Sequence, residues 1–217
     1  MPEATRPRLT RDSVLRRALE RADTAGIDAL SMRSLASDLG VVPMALYKHV
    51  ANKEELVDGM VDLVWAEVEP PAGATWREAM RARAVSLRAA LRRHPWAVGL
   101  MESRTRPGLA NLAAHNAMMG CLREAGFPFR TTVHVTSVLD AYVYGFALQE
   151  KTLPFASAEE SGQVAAETEQ SVPAEVAQRF PYLLEVVARL AEAGYDYDEE
   201  FATGLDLILD GVERRWP

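Results

Sequence analysis

Apolar residues recur at helical spacing along almost the whole chain. Val14, Leu15, Ala18, Leu19 and Ala22 form one stripe, Leu35, Ala36 and Leu39 a second, and Leu56, Met60, Leu63 and Val64 a third. Beyond these, the periodicity predicts helices over roughly 76–93, 95–102, 107–125, 129–152, 173–193 and 197–215. No stretch alternates as a half-buried strand would. The expected fold class is therefore all-α.

Breakers and caps divide the pattern. Thr10 can cap the first helix, with Asp12 favourable near its positive end, and Gly26 stands where that helix should stop. Ser31 can cap a second helix, which Gly40 ends. Pro43 suits the first turn of a third, where its missing N–H does no harm. Asn52 with Glu55 comes close to a capping box for a fourth. The run Pro70-Pro71-Ala72-Gly73-Ala74 is a cluster of breakers, so a domain boundary is expected there, with one domain over 1–68 and a larger one over 69–217. Residues 157–175 are acidic, small and polar and read as a mobile loop.

The stretch from Ser31 to Lys53 holds two short helices joined by a three-residue, Gly-containing turn. That is the frame of a helix-turn-helix, which lays its second helix in a DNA major groove. Two short helices can also meet this way inside an ordinary helical domain, with Tyr47 and Met44 as packing residues. Charge shifts the balance. The net charge is −7, but residues 1–53 carry nine Arg/Lys against six Asp/Glu, a balance of +3, and the rest carries −10. Only the part near the N-terminus suits a polyanion. Arg6, Arg8 and Arg11 offer a basic arm, although such residues are more often simply solvated. The single cysteine, Cys121, excludes an internal disulfide and fits the cytoplasm. No apolar run reaches the length of a membrane span.

The run Leu46-Tyr47-Lys48-His49-Val50-Ala51-Asn52-Lys53-Glu54-Glu55-Leu56, with Ile27-Asp28-Ala29-Leu30-Ser31-Met32-Arg33-Ser34-Leu35-Ala36 before it, resembles the TetR family of bacterial repressors. The likeness covers about 55 residues. The remainder is similar in length and helical character to the ligand domain of the tetracycline-repressor type. The resemblance implies an N-terminal three-helix DNA-binding domain and a helical ligand-binding and dimerisation domain. It carries roles position by position. Arg33 would reach a base edge, where a bidentate contact to guanine is worth roughly 1–3 kcal/mol. Pro43, Met44 and Ala45 would meet thymine methyl groups. Tyr47, Lys48 and His49 would touch phosphates or groove edges, and Ser31 and Lys53 would clamp phosphates. Lys48 departs from relatives with an aromatic residue there, which leaves base choice open.

The segment from Arg130 to Lys151 is apolar nearly all round and must be covered on more than one side. Ala141 and Gly145 leave it a shallow spot, and Gly204, Ile208 and Gly211 do the same for the last helix. Both helices, near 130–152 and 197–215, are expected in a homodimer interface. The dimer would present two reading helices about 34–36 Å apart to a palindromic operator in double-stranded DNA. Trp96, Met101, His115, Asn116, Met119, His134, Tyr142 and Phe146 are candidates to line a pocket for a small-molecule inducer, although such residues also simply fill cores. Ligand binding would act through the fourth helix. Two other readings stand beside the ligand-released repressor: a DNA-binding regulator without small-molecule control, and a helical enzyme. Against the enzyme, His49, His94, His115 and His134 form no HExxH pair, and no phosphate-cradling glycine loop occurs. No catalytic residue, metal or cofactor is expected.

Overall fold

The computed structural model describes residues 9–216. Arg6 and Arg8 of the expected basic arm lie outside the described residues. Among these residues all regular structure is helical: α1 Arg11–Ala25, α2 Met32–Asp38, α3 Pro43–Leu46, α4 Lys53–Ala66, α5 Trp76–Arg93, α6 Leu109–Glu124, α7 Phe129–Thr152, α8 Ala158–Ser171, α9 Ala174–Arg179, α10 Pro181–Ala193 and α11 Tyr197–Arg215. Packing divides the chain into two compact units, Met1–Ser137 and Val138–Pro217, with the division inside α7. The Pro70–Ala74 segment is a bend within the first unit. No described helix is long and apolar enough to cross a membrane.

Capping sets the helix starts in the first unit. Thr10 Oγ1 accepts the Ser13 N–H at 3.1 Å, and Ser13 Oγ takes the Thr10 N–H in return at 3.0 Å. Thr75 with Glu78 repeats the device at α5. At α4, Asn52 Oδ1 accepts the Glu55 N–H at 2.8 Å, but the Glu55 carboxylate reaches one residue further back, to the Ala51 N–H at 2.7 Å. Val14, Leu15 and Ala18 of α1 are buried in one core with Leu35, Leu46, Leu56, Met60 and Val64. Each large aliphatic side chain contributes roughly 1.5–3 kcal/mol there. Gly59 lets α1 approach α4 closely: a Cβ there would stand 2.7 Å from a Leu15 methyl. Asp62 of α4 accepts the Asn111 N–H at 3.0 Å and so caps the start of α6 from outside.

Three expected elements came out differently. The helix over 95–102 is a 3-10 turn at Pro95–Ala97 followed by hydrogen-bonded turns; Gly99 is a poor helix residue, and Trp96 is pulled toward Asp23. The helix over 173–193 is two, α9 and α10, because Pro181 pushes Phe180 to φ −128°, ψ 58°. The stretch 157–175, read as a mobile loop, contains α8. Ser157 Oγ caps the Glu160 N–H at 3.2 Å, and the Glu160 carboxylate accepts the Ala156 N–H at 2.7 Å. Ala158, Ser161, Gly162 and Ala165 then let α8 lie close against α10. A Cβ on Gly162 would be 3.4 Å from the Ala191 carbonyl oxygen, and Ser161 Oγ accepts the Tyr195 N–H at 2.6 Å. The small residues that read as disorder are what allows two helices to touch.

The second unit has an aromatic centre. Tyr142 and Phe146 of α7 pack on Phe201 of α11, with ring centroids 5.4 and 5.1 Å away, and Phe155 stacks on Tyr197 at 5.7 Å. The Tyr142 hydroxyl donates to the Phe201 carbonyl at 2.9 Å. Burial pushes the Tyr197 phenol up, helped by Glu150 and Tyr195. Gly204, expected on a face between subunits, instead faces the Tyr142 ring of its own chain, whose Cζ a Cβ would meet at 2.9 Å.

Candidate nucleic-acid interface

The face begins at the turn between α2 and α3. Gly40 takes φ +63°, a backbone open to glycine at little cost. The Val41 N–H bonds to the Ala36 carbonyl at 2.9 Å and the Gly40 N–H to the Ser37 carbonyl at 3.1 Å, the paired bonds of a Schellman stop. That stop ends α2 sharply and turns the chain outward. Leu46 and Val50, 0% and 1% exposed, anchor the α3 segment in the core. Val42 and Met44, 68% and 71% exposed, stand out from it. Pro43 is exposed as well, and Ala45 is partly so. The helix proper ends at Leu46; Tyr47, Lys48 and His49 continue it as a turn, closed by the His49 N–H on the Leu46 carbonyl at 2.8 Å. Tyr47 and Lys48 are exposed and His49 half-buried.

Three cations lie on this stretch of the chain. Arg11, Arg16, Arg17, Arg21, Arg93 and Arg104 of the same unit each have a carboxylate within 4 Å. Arg33, Lys48 and Lys53 are exposed, and among the described residues they make no ion pair or side-chain hydrogen bond. Cations paired internally offer little to a phosphate; these three are available. Ser31 is exposed too, but its hydroxyl accepts the Ser34 N–H at 3.0 Å and donates to Ser34 Oγ at 2.9 Å. Its hydrogen atom is committed to the cap of α2. The arrangement joins an apolar tip (Pro43, Met44, Ala45) to flanking cations, which suits base edges at the centre and phosphates at the sides.

The candidate pocket residues belong to both units. Trp96 and Met101 are buried in the first unit, and the Trp96 indole N–H donates to Asp23 at 2.7 Å. His115 is half-buried, with Nδ1 3.0 Å from the Asn111 carbonyl and its ring 4.9 Å from that of Trp65. Asn116, Met119 and His134 are exposed. Tyr142 and Phe146 belong to the ring cluster of the second unit. Trp65, 1% exposed on α4 beside His115, is not among the residues singled out above; its place on the buried stripe, four residues after Val61, is the signal that marks it. The described residues contain no group of three or more His, Cys, Asp or Glu able to hold a metal.

The chain also matches known proteins. The family pattern for bacterial regulatory proteins of the tetR family matches residues 14–60, and that for the tetracyclin repressor-like C-terminal domain matches residues 69–216. The transcriptional repressor DrrR1 of Streptomyces coeruleorubidus is 34% identical over 96% of this chain and 78% of its own length. The class A tetracycline repressor from transposon 1721 in Escherichia coli is 31% identical over 96% of this chain and 92% of its own. Among solved structures, ActR of Streptomyces coelicolor in complex with actinorhodin superposes with a TM-score of 0.79 at 29% identity, covering 95% of this chain and 96% of that one. An outward, cation-flanked third helix on a helix-turn-helix frame, joined to a helical body matched over 69–216, makes this chain a member of the TetR family of DNA-binding transcriptional regulators.

Proposed function

We propose that the chain is a homodimeric repressor that leaves a palindromic operator when a small organic ligand binds its helical body. The observation that carries the DNA-reading half is the exposed apolar tip at Pro43 and Met44 in a helix-turn-helix whose exposed cations Arg33, Lys48 and Lys53 have no ion-pair partner among the described residues. Arg33 and the tip read bases, Tyr47, Lys48, His49 and Lys53 hold phosphates, and Ser31 supports the surface as the cap of α2. Functionally the boundary falls at 68/69: residues 1–68 read DNA, and 69–217 bind ligand and pair the subunits.

Dimerisation draws support from faces of the second unit left open in one chain. Val138, Ala141, Gly145 and Leu148 succeed one another on an exposed side of α7, and Leu207 and Gly211 do so on α11. Gly145 and Gly211 have open space where a Cβ would be, so a second helix can come close. Ligand control draws support from relatives named for tetracycline and from the actinorhodin complex of ActR. The protein carries out no catalysis in this reading and works in the cytoplasm.

The test starts by selecting a duplex from a randomised pool with the full-length protein. The expected product is a pair of inverted half-sites whose complex dissociates on titration with members of a panel including tetracycline and actinorhodin. Enrichment of no duplex refutes the DNA reading. A selected complex that every compound leaves intact refutes ligand release and favours control by abundance or by protein partners.

A further inference from the structure

We infer that His94 is a positioning residue for the DNA-reading face, a protonated clasp that holds the ends of α1 and α4 together and whose loss of a proton weakens operator binding. The inference rests on the DNA-binding reading proposed for the chain.

His94 caps the end of α5, is 5% exposed, and lies in the first unit with all its partners. Its Nδ1 stands 2.7 Å from Asp23 Oδ1, and its Nε2 stands 3.0 Å from Glu67 Oε1. An ionised carboxylate only accepts hydrogen bonds. Both ring nitrogens therefore act as donors, and the ring carries both protons. The Glu67 carboxyl is kept ionised: burial alone would raise its pKa, but bonds from Arg93 and His94 outweigh that and hold it below the usual range.

Position explains why a cation is needed. Asp23 lies in the last turn of α1, and Glu67 is the C-cap of α4. Both carboxylates sit at the negative ends of helix dipoles, and neither helix has a basic residue in its last turn. The compensation comes from the 93–96 segment. Arg93 reaches Glu67 Oε2 at 2.7 Å, the Trp96 indole N–H reaches Asp23 Oδ1 at 2.7 Å, and His94 stands between the two acids. Among the described residues these are the charged groups bonded to the ring or to its two acids from α1, α4 and its own segment. With one proton gone, a nitrogen lone pair faces one carboxylate at close range, and the ring no longer offsets either acid. α1 packs against both α4 and α2, and α2 against α3, so the end of α1 held at the clasp bears on how the α2–α3 pair is presented. Imidazole is also the side chain suited to changing charge near neutrality.

The experiment uses the full-length protein and the duplex selected by the wild type. Affinity is measured between about pH 6 and about pH 9, across the imidazole range and its alkaline side, for wild type, His94→Gln and the double variant His94→Gln/Asp23→Asn. His49 is common to all three, so any contribution it makes cancels in the ratios. Expected are a roughly tenfold weaker His94→Gln complex at the acid end, an amount typical of losing a bond to a charged group, a ratio that closes as pH rises, and recovery in the double variant without the wild type's alkaline decline. Recovery is expected because the amide introduced by Asp23→Asn can donate to the side-chain carbonyl introduced by His94→Gln, whose own NH2 group then serves Glu67. Nitrogen NMR of the imidazole gives a separate readout: both His94 nitrogens carry protons at neutral pH. A neutral ring there, or a wild-type to His94→Gln ratio constant with pH, overturns the inference. If no duplex is enriched, the DNA reading itself falls, while the NMR result still decides the clasp.

Discussion

Single residues decide between reading DNA and folding. Arg33 and Lys48 are exposed and unpaired among the described residues, so truncating them removes nothing from the core. Arg33→Ala and Lys48→Ala are expected to weaken operator binding about tenfold each, with melting temperature nearly unchanged, since surface changes stay within about 0.5 kcal/mol. Binding isotherms beside thermal melts check both halves of the statement. Gly40 is the opposite case. Its φ of +63° costs any residue with a Cβ about 1–2 kcal/mol. Gly40→Ala should lower stability by that amount and bring DNA binding down only as folded protein is lost, which circular dichroism of the variant would reveal.

At the scale of elements, helix ends carry the specificity of the fold. Asn52 and Ser157 start α4 and α8 with the same bond, from the N–H three residues on. Replacing either with Ala should cost about 1 kcal/mol, and for Ser157→Ala hydrogen exchange should quicken in α8 while α1 to α4 stay protected. Glu67, at the end of α4, links element to pH. Its carboxyl is held below the usual glutamate range, so it stabilises the fold above the unfolded value, about 4.3, and the gain is lost as pH falls through the folded value. Glu67→Gln should therefore melt earlier than wild type near neutral pH, with the gap closing in acid. A gap of constant size across that range would contradict the linkage.

For the whole molecule, the proposed function requires two copies. One reading helix covers few base pairs; a twofold dimer covers two half-sites. Leu207→Glu and Leu148→Glu place charge on faces that are 68% and 51% exposed in the single chain. Sedimentation should show monomers of unchanged helicity for each, with operator affinity lost. A dimer that survives both changes would move the interface elsewhere. Wild-type affinity should fall steeply with added salt, because phosphate contacts release counterions.

Local rules already specified much of this protein. The caps at Thr10, Ser31 and Asn52, the stop at Gly40 and the start at Pro43 act over three or four residues, so their effects are visible in the sequence itself. The same holds for α5, α7 and α11, whose apolar periods are long and uninterrupted. Residues far apart in sequence decided the rest. Nothing near Ala158–Ala165 says that small side chains await α10, and nothing near Gly204 says that Tyr142 occupies its face. His94 reads as the residue before a proline until folding brings Asp23 and Glu67 to its two nitrogens. Backbone geometry and solvation act on neighbours along the chain, whereas close packing and charge pairing depend on distance in space, which only the assembled helices define.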